Sequence, residues 1–338
     1  MPAFPSSRST ARPAPPARRL LAMLGLALAF LAGVLVPDSR AADQEPLRPL
    51  SVLLDWFVNP DHGPLVIAQE KGYFREAGLE VTLIAPADPN DPPKLVAAGK
   101  ADIAVGYQPQ LHLQVAEGLP LVRFGTLVAS PLNCLVALRD GPVHSLADLK
   151  GRKVGFSVGG FEDALLDTML RHAGVDPATV EKVNVNFSLA PSVISGQVDA
   201  VIGPFRNFEL TQMALAGHPG IAFLPEDAGV PPYDELVFLA NRDHARDPRL
   251  GAFLDAVERA VLFVLNHPEE SWTLFKTAHP ELDDALNRQA WLDTVGRFST
   301  APAAVDHGRY RRFAQYLKDQ NLMTTLPAVE DYVVEVAR

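Results

Sequence analysis

Cysteine is nearly missing from this chain: among 338 residues only Cys134 carries a thiol. A lone thiol forms no internal disulfide and supplies neither a cysteine-rich metal site nor an iron–sulfur cluster. Positive charge is also in short supply, with Lys+Arg 30 against Asp+Glu 40 and a net charge of −10. That is the wrong sign for a protein that wraps phosphate backbone, so nucleic-acid binding is set aside. The sequence has no Gly-x-Ser-x-Gly elbow, no Walker A loop and no His-Glu-x-x-His, and its nine histidines are scattered without metal-ligand spacing. Catalysis therefore has no motif to rest on, and a cofactor-free, non-enzymatic chain is expected. What is present is ordinary for a folded protein: 48% hydrophobic and 21% charged residues. At roughly 150 residues per domain, the length suggests two lobes.

The first forty residues bear on the compartment. Arg8, Arg12, Arg18 and Arg19 form a basic leader, the apolar run Leu20 to Val36 follows, and Ser39-Arg40-Ala41 places small residues where signal peptidase reads. The expectation is a cleaved signal over 1–41 and a periplasmic product, with an uncleaved anchor as the alternative. Arg18-Arg19 is a twin-arginine pair, but Leu20-Leu21-Ala22 continues it weakly, which favours the general export route. Removing five arginines and Asp38 leaves 25 basic against 39 acidic side chains, so the exported chain carries −14.

From Leu50 onward, short apolar runs alternate with helical spacing. Strands are expected near 50–54, 79–84, 103–105, 121–128, 135–138, 153–156, 183–186, 200–202 and 236–240, with helices such as 63–71, 94–98 and 162–172 between them. Alternation of this kind implies an α/β architecture with largely parallel sheets. Beyond Pro248 only helices are expected. An internal echo organises the middle: Ala98-Gly99-Lys100-Ala101-Asp102-Ile103-Ala104-Val105-Gly106 matches Ser195-Gly196-Gln197-Val198-Asp199-Ala200-Val201-Ile202-Gly203 in pattern. The repeated Asp favours two related lobes over a recurring helix C-cap. The loops after both strands, at 107–110 and 204–209, should then face a cleft outside the carboxyl ends of the strands.

The segments Leu53-Leu54-Asp55-Trp56-Phe57-Val58-Asn59-Pro60-Asp61-His62, Ala68-Gln69-Glu70-Lys71-Gly72-Tyr73-Phe74, Gly160-Phe161-Glu162-Asp163 and Phe205-Arg206-Asn207-Phe208-Glu209-Leu210 carry a resemblance. The chain resembles extracytoplasmic solute-binding proteins of ABC transporters, in the group that binds thiamine pyrimidine precursors such as hydroxymethylpyrimidine and formylaminopyrimidine. Nitrate, sulfonate and taurine binders, and a eukaryotic enzyme that builds the thiamine pyrimidine, are similar too. The resemblance implies a two-lobed periplasmic-binding-protein fold of type II, α/β, with a cleft between lobes. Lobe 1 is expected over 42–139 plus 241–338 and lobe 2 over 140–240, with crossings near Leu138 to Gly141 and near Ala240. It also implies a monomer that hands a small pyrimidine to a membrane permease with its ATPase.

Ten residues are candidates for ligand contact, and each has a plainer alternative. Trp56 can stack on a flat ring or cap a sheet edge. Asn59 can pair with a pyrimidine edge or start a turn, and His62 can contact ligand or cap a helix. The resemblance also matches His62 to the histidine that the eukaryotic enzyme consumes as substrate, although that enzyme's cysteine-rich cluster is missing here. Tyr107 and Gln108 lie at a strand end. Ser157 and Gly159 belong to a Gly-rich turn before a helix, where free N–H groups can hold an anion or simply make the turn. Arg206 either faces the cleft, favouring an anionic ligand, or makes an external ion pair, and Asn207 shares its loop. Glu209 is the sharpest candidate. The resemblance gives it the role of accepting a hydrogen bond from the exocyclic amine as a carboxylate, so Glu209→Gln should weaken binding, whereas the alternative is an exposed first-turn glutamate.

Overall fold

The structure is a computed structural model that describes residues 46–325 and 327–338, so the leader and its cleavage site lie outside the described residues. Its strands are β1 (Arg48–Leu53), β2 (Leu79–Ile84), β3 (Ile103–Gly106), β4 (Leu121–Val128), β5 (Asn133–Leu138), β6 (Lys153–Phe156), β7 (Glu181–Asn184), β8 (Ala200–Phe205), β9 (Gly220–Phe223) and β10 (Leu236–Asn241). Helices α1 (Gly63–Glu70), α2 (Tyr73–Glu76), α3 (Pro92–Ala97), α4 (Gln108–Ala116), α5 (Phe161–His172), α6 (Leu189–Ile194) and α7 (Glu209–Leu215) alternate with them. Four more close the chain: α8 (Pro248–Asn266), α9 (Pro268–Ala278), α10 (Ala285–Thr294) and α11 (His307–Asp319).

Two five-stranded sheets result, in the orders β2-β1-β3-β10-β4 and β7-β6-β8-β5-β9. In the first, β1 is parallel to β2 and β3 while β10 runs antiparallel to β3 and β4. The second repeats that plan, with β6 parallel to β7 and β8, and β5 antiparallel to β8 and β9. The echo seen in the sequence has a physical basis in this repeat. Gly99 and Gly196 follow α3 and α6 with φ of 67° and 74°, a left-handed turn that glycine adopts without a Cβ penalty. Asp102 then accepts from Ser51 N–H at 2.8 Å and Asp199 from Lys153 N–H at 2.9 Å, so each carboxylate ties the start of its own strand to the neighbouring parallel one.

The chain passes between sheets earlier than the sequence suggested. It leaves the first sheet between Val128 and Asn133 and returns between Phe223 and Leu236. The expected crossings at 138–141 and 240 each fall one strand late, placing β5 and β10 with the wrong sheets. The reason is that β5 and β10 are buried along almost their whole length, and an apolar run does not reveal which sheet it pairs with. Two expected loops also shorten: α4 already begins at Gln108, and Glu209 is the first residue of α7. Strand β9, at the sheet edge and half-buried, has too little apolar contrast to stand out. The closing helices pack on the first sheet, where Phe253, Trp291 and Phe313 share one core with Val52, Phe124 and Phe238.

Candidate functional site

The parallel strands of both sheets point their carboxyl ends at a common cleft, the place where open α/β sheets bind ligands. It spans about 420 Å³, part of it open to solvent, and is lined by Asp55, Trp56, Asn59, Asp61 and Tyr107 from the first lobe and Glu162, Leu189, Gly203, Phe205, Phe208 and Glu209 from the second. Four of these are carboxylic acids, and none is lysine or arginine.

Asp55 follows β1 and is held from two sides. Tyr107 donates from its hydroxyl to Asp55 Oδ2 at 2.9 Å, and His62 Nε2 lies 2.8 Å from Oδ1. Asn59 N–H points at His62 Nδ1 at 3.3 Å, which assigns the ring proton to Nε2 and makes His62 the donor. His62 is thus a fully buried prop behind Asp55 and not part of the cleft wall. Asn59 reaches the wall, but its amide is engaged in the turn: Oδ1 accepts from Asp61 N–H and Nδ2 donates to the Phe57 carbonyl. Trp56 also lines the wall and meets Phe187 of the second lobe edge-on, with centroids 4.6 Å apart.

On the opposite wall Glu162, at the start of α5, accepts from Ser157 N–H at 2.8 Å and Val158 N–H at 3.1 Å. Glu209 accepts from Phe205 N–H at 2.7 Å through Oε2. Burial pushes both acids up to about 8, and pushes Asp61 up to about 6. At neutral pH burial therefore keeps Glu162 and Glu209 mostly uncharged.

Several expected contacts are placed elsewhere. Gln108 is buried away from the cleft, accepting from Asp234 N–H at 2.8 Å and sitting 3.2 Å from His112 Nε2. The N–H groups of the Gly-rich turn are already engaged: Ser157 and Val158 by Glu162, Gly159 by Asn90 and Gly160 by Asp163. No anion cradle is left there, and Ser157 and Gly159 do not line the cleft. Arg206 forms the external ion pair. It grips Glu226 with both Nη atoms and donates to the Leu132 and Asn133 carbonyls, which lie at the passage into the second sheet. Asn207 lies beside the cleft, with its amide given to Asp61 and Thr294. Of the ten candidates, Trp56, Asn59, Tyr107 and Glu209 line the cleft together.

Asp55, Asp61, Glu162, Leu189, Gly203, Phe205 and Phe208 were missing from the candidate set. The signal for the acids was present in the segments that carry the resemblance: Asp55 stands just beyond β1, Asp61 in the turn before α1 and Glu162 in the first turn of α5. Gly203 is required by space, because a Cβ there would lie 2.6 Å from Glu162 Oε1 at a φ of 116°. Gly203→Ala should lower the unfolding free energy by roughly 1–3 kcal/mol from backbone strain alone, read by urea denaturation; a wild-type midpoint would remove the argument.

The fold is the two-lobed α/β fold of the periplasmic-binding type, with this cleft between its sheets. In structure the chain is similar to the alkanesulfonate-binding protein SsuA from Xanthomonas axonopodis pv. citri (TM-score 0.69, 15% identity, 86% of this chain and 99% of that one). At that identity the likeness carries the fold alone. The chain belongs to the NMT1/THI5-like family, whose model matches residues 59–271. It is 52% identical to a putative thiamine biosynthesis protein of Haemophilus influenzae, over 85% of this chain and 92% of that protein. It is 36% identical to a formylaminopyrimidine-binding protein of Halalkalibacterium halodurans, over 77% and 79%. A 4-amino-5-hydroxymethyl-2-methylpyrimidine phosphate synthase of Legionella pneumophila is 28% identical over 80% and 86%. Among the described residues, no helix is long and apolar enough to cross a membrane, and no cluster of His, Cys, Asp and Glu could hold a metal ion.

Proposed function

We propose that the chain is the substrate-binding component of an ABC importer. It captures a thiamine pyrimidine precursor, 4-amino-5-hydroxymethyl-2-methylpyrimidine or its formylaminomethyl relative, in the periplasm after loss of the 1–41 leader. It then delivers this ligand, as a monomer, to a permease and its ATPase. The observation that carries this reading is the lining of the cleft: Trp56, Tyr107, Phe205 and Phe208 beside four acids, with no cation. A flat, amine-bearing ring suits those walls, whereas nitrate or a sulfonate would meet acids and no positive partner. The engagement of Arg206 by Glu226 argues the same way. Binding is favoured over pyrimidine synthesis because His62, the residue that would be consumed, sits behind Asp55 and outside the cleft wall. Lobe 1 then comprises the first sheet with the closing helices and lobe 2 the second sheet, hinged at 129–132 and 224–235.

Thermal-shift titration of the mature protein with both pyrimidines, thiamine, taurine and nitrate tests this. A ligand that binds the folded state raises apparent stability with the logarithm of its concentration. A rise with the aminopyrimidines is expected. A rise with taurine or nitrate and none with the pyrimidines would refute the assignment.

A further inference from the structure

Two asparagines, one from each lobe, bind the lobes together beside the cleft. Asn90, between β2 and α3, donates from Nδ2 to the Ser157 carbonyl at 3.1 Å and accepts from Gly159 N–H at 3.0 Å. Asn207, between β8 and α7, donates from Nδ2 to Asp61 Oδ1 and to Thr294 Oγ1, both at 2.6 Å. Each partner adjoins the cleft lining: Asp61 is itself part of it, and Ser157 is held through its N–H by Glu162. Neither asparagine lines the cleft.

We propose that Asn90 and Asn207 are positioning residues that clasp the lobes closed over the ligand, setting how long it is held without touching it. This rests on the reading of the chain as a capture protein. The two contacts are reciprocal, each lobe reaching into the other, so both must break when the cleft opens. Asn207 Oδ1 is buried without a partner, which offsets part of what its two short hydrogen bonds contribute. Such a clasp is weak enough to release, as a delivering protein requires. In a closing protein the observed affinity scales with the population of the closed state, so loss of a clasp lowers affinity for every ligand by a common factor.

The test is stopped-flow tryptophan fluorescence, with Trp56 in the cleft wall as reporter, on Asn90→Ala, Asn207→Ala and Asn207→Asp. The probes are hydroxymethylpyrimidine, thiamine, taurine and nitrate. Each alanine variant should raise Kd by about tenfold, carried by faster dissociation with association nearly unchanged. The order of preference among probes should be kept. Asn207→Asp should lose more, because it sets a second acid against Asp61. Asn90 is a half-buried loop residue, so the ligand-free unfolding midpoint of Asn90→Ala should match wild type. Unchanged dissociation rates in both alanine variants would overturn the proposal, as would an affinity loss accompanied only by lower ligand-free stability. If wild type binds taurine and no pyrimidine, the proposed function falls, and the same variants measured with taurine still decide the clasp.

Discussion

Replacing Glu209 by alanine should cost roughly a hundredfold in affinity for a 4-aminopyrimidine, while glutamine should stay within about tenfold of wild type. The sequence alone suggested a carboxylate and a damaging Glu209→Gln. Burial changes that expectation, because Glu209 is pushed up to about 8 and is mostly the neutral acid at pH 7. A neutral acid matches both groups on the edge of a 4-aminopyrimidine: its carbonyl oxygen accepts from the amine and its hydroxyl donates to the ring nitrogen. The Phe205 N–H fixes the orientation, since Oε2 accepts from it and keeps a second lone pair for the amine. A glutamine placed there turns its oxygen toward Phe205 and offers its NH₂ to the ring nitrogen, repeating the pattern. Alanine leaves two ligand groups buried and unpaired. The pH profile separates the forms further. Above about pH 8 the wild-type acid must take up a proton to bind, so affinity should fall toward tenfold per pH unit, and Glu209→Gln should be flat there. Calorimetry on both variants decides; a glutamine variant as weak as the alanine one would restore the ionised form.

The alternation of strand and helix was legible because its signal is local: apolar runs of strand length between helical stretches. The internal repeat was legible for the same reason, and Asp102 and Asp199 show why its acid recurs. Partners distant in sequence were not legible. Nothing near Arg206 tells that Glu226, in a turn after β9, lies within 3 Å of it. Gln108 stood at a strand end as expected, but its first-turn position on α4 turns the side chain toward Asp234 rather than the cleft. Likewise His62 was recognised as important for the wrong face, since a one-turn 3-10 helix between Asn59 and Gly63 rotates it behind Asp55. Of the four acids in the cleft, only Glu209 stood among the candidates. That they converge with no cation among them needed both sheets at once.

Raising the pH from about 5 to about 8 should destabilise the ligand-free protein by several kcal/mol, the reverse of the trend that paired surface acids produce. Burial holds Glu162 and Glu209 at about 8, Glu235 at about 7 and Asp61 at about 6, all above their ordinary range. Across that window the folded state binds more protons than the unfolded chain, so the slope of stability against pH is negative. The contribution of these four acids is complete below their ordinary values and lost as pH climbs through the raised ones. On the acid side the opposite group acts. Burial alone would raise Asp102, Glu226 and Asp247, but hydrogen bonds from Ser51, Arg206 and Arg249 outweigh it and hold all three below their ordinary range. Their contribution is lost as pH falls below about 4, so stability should peak between the two regimes, near pH 5. Urea midpoints from pH 3 to 9 read this directly. In Glu209→Gln the alkaline fall should shrink, because one of the four acids can no longer ionise. A midpoint that instead rises steadily to pH 8 would mean that these acids are already charged in the folded protein.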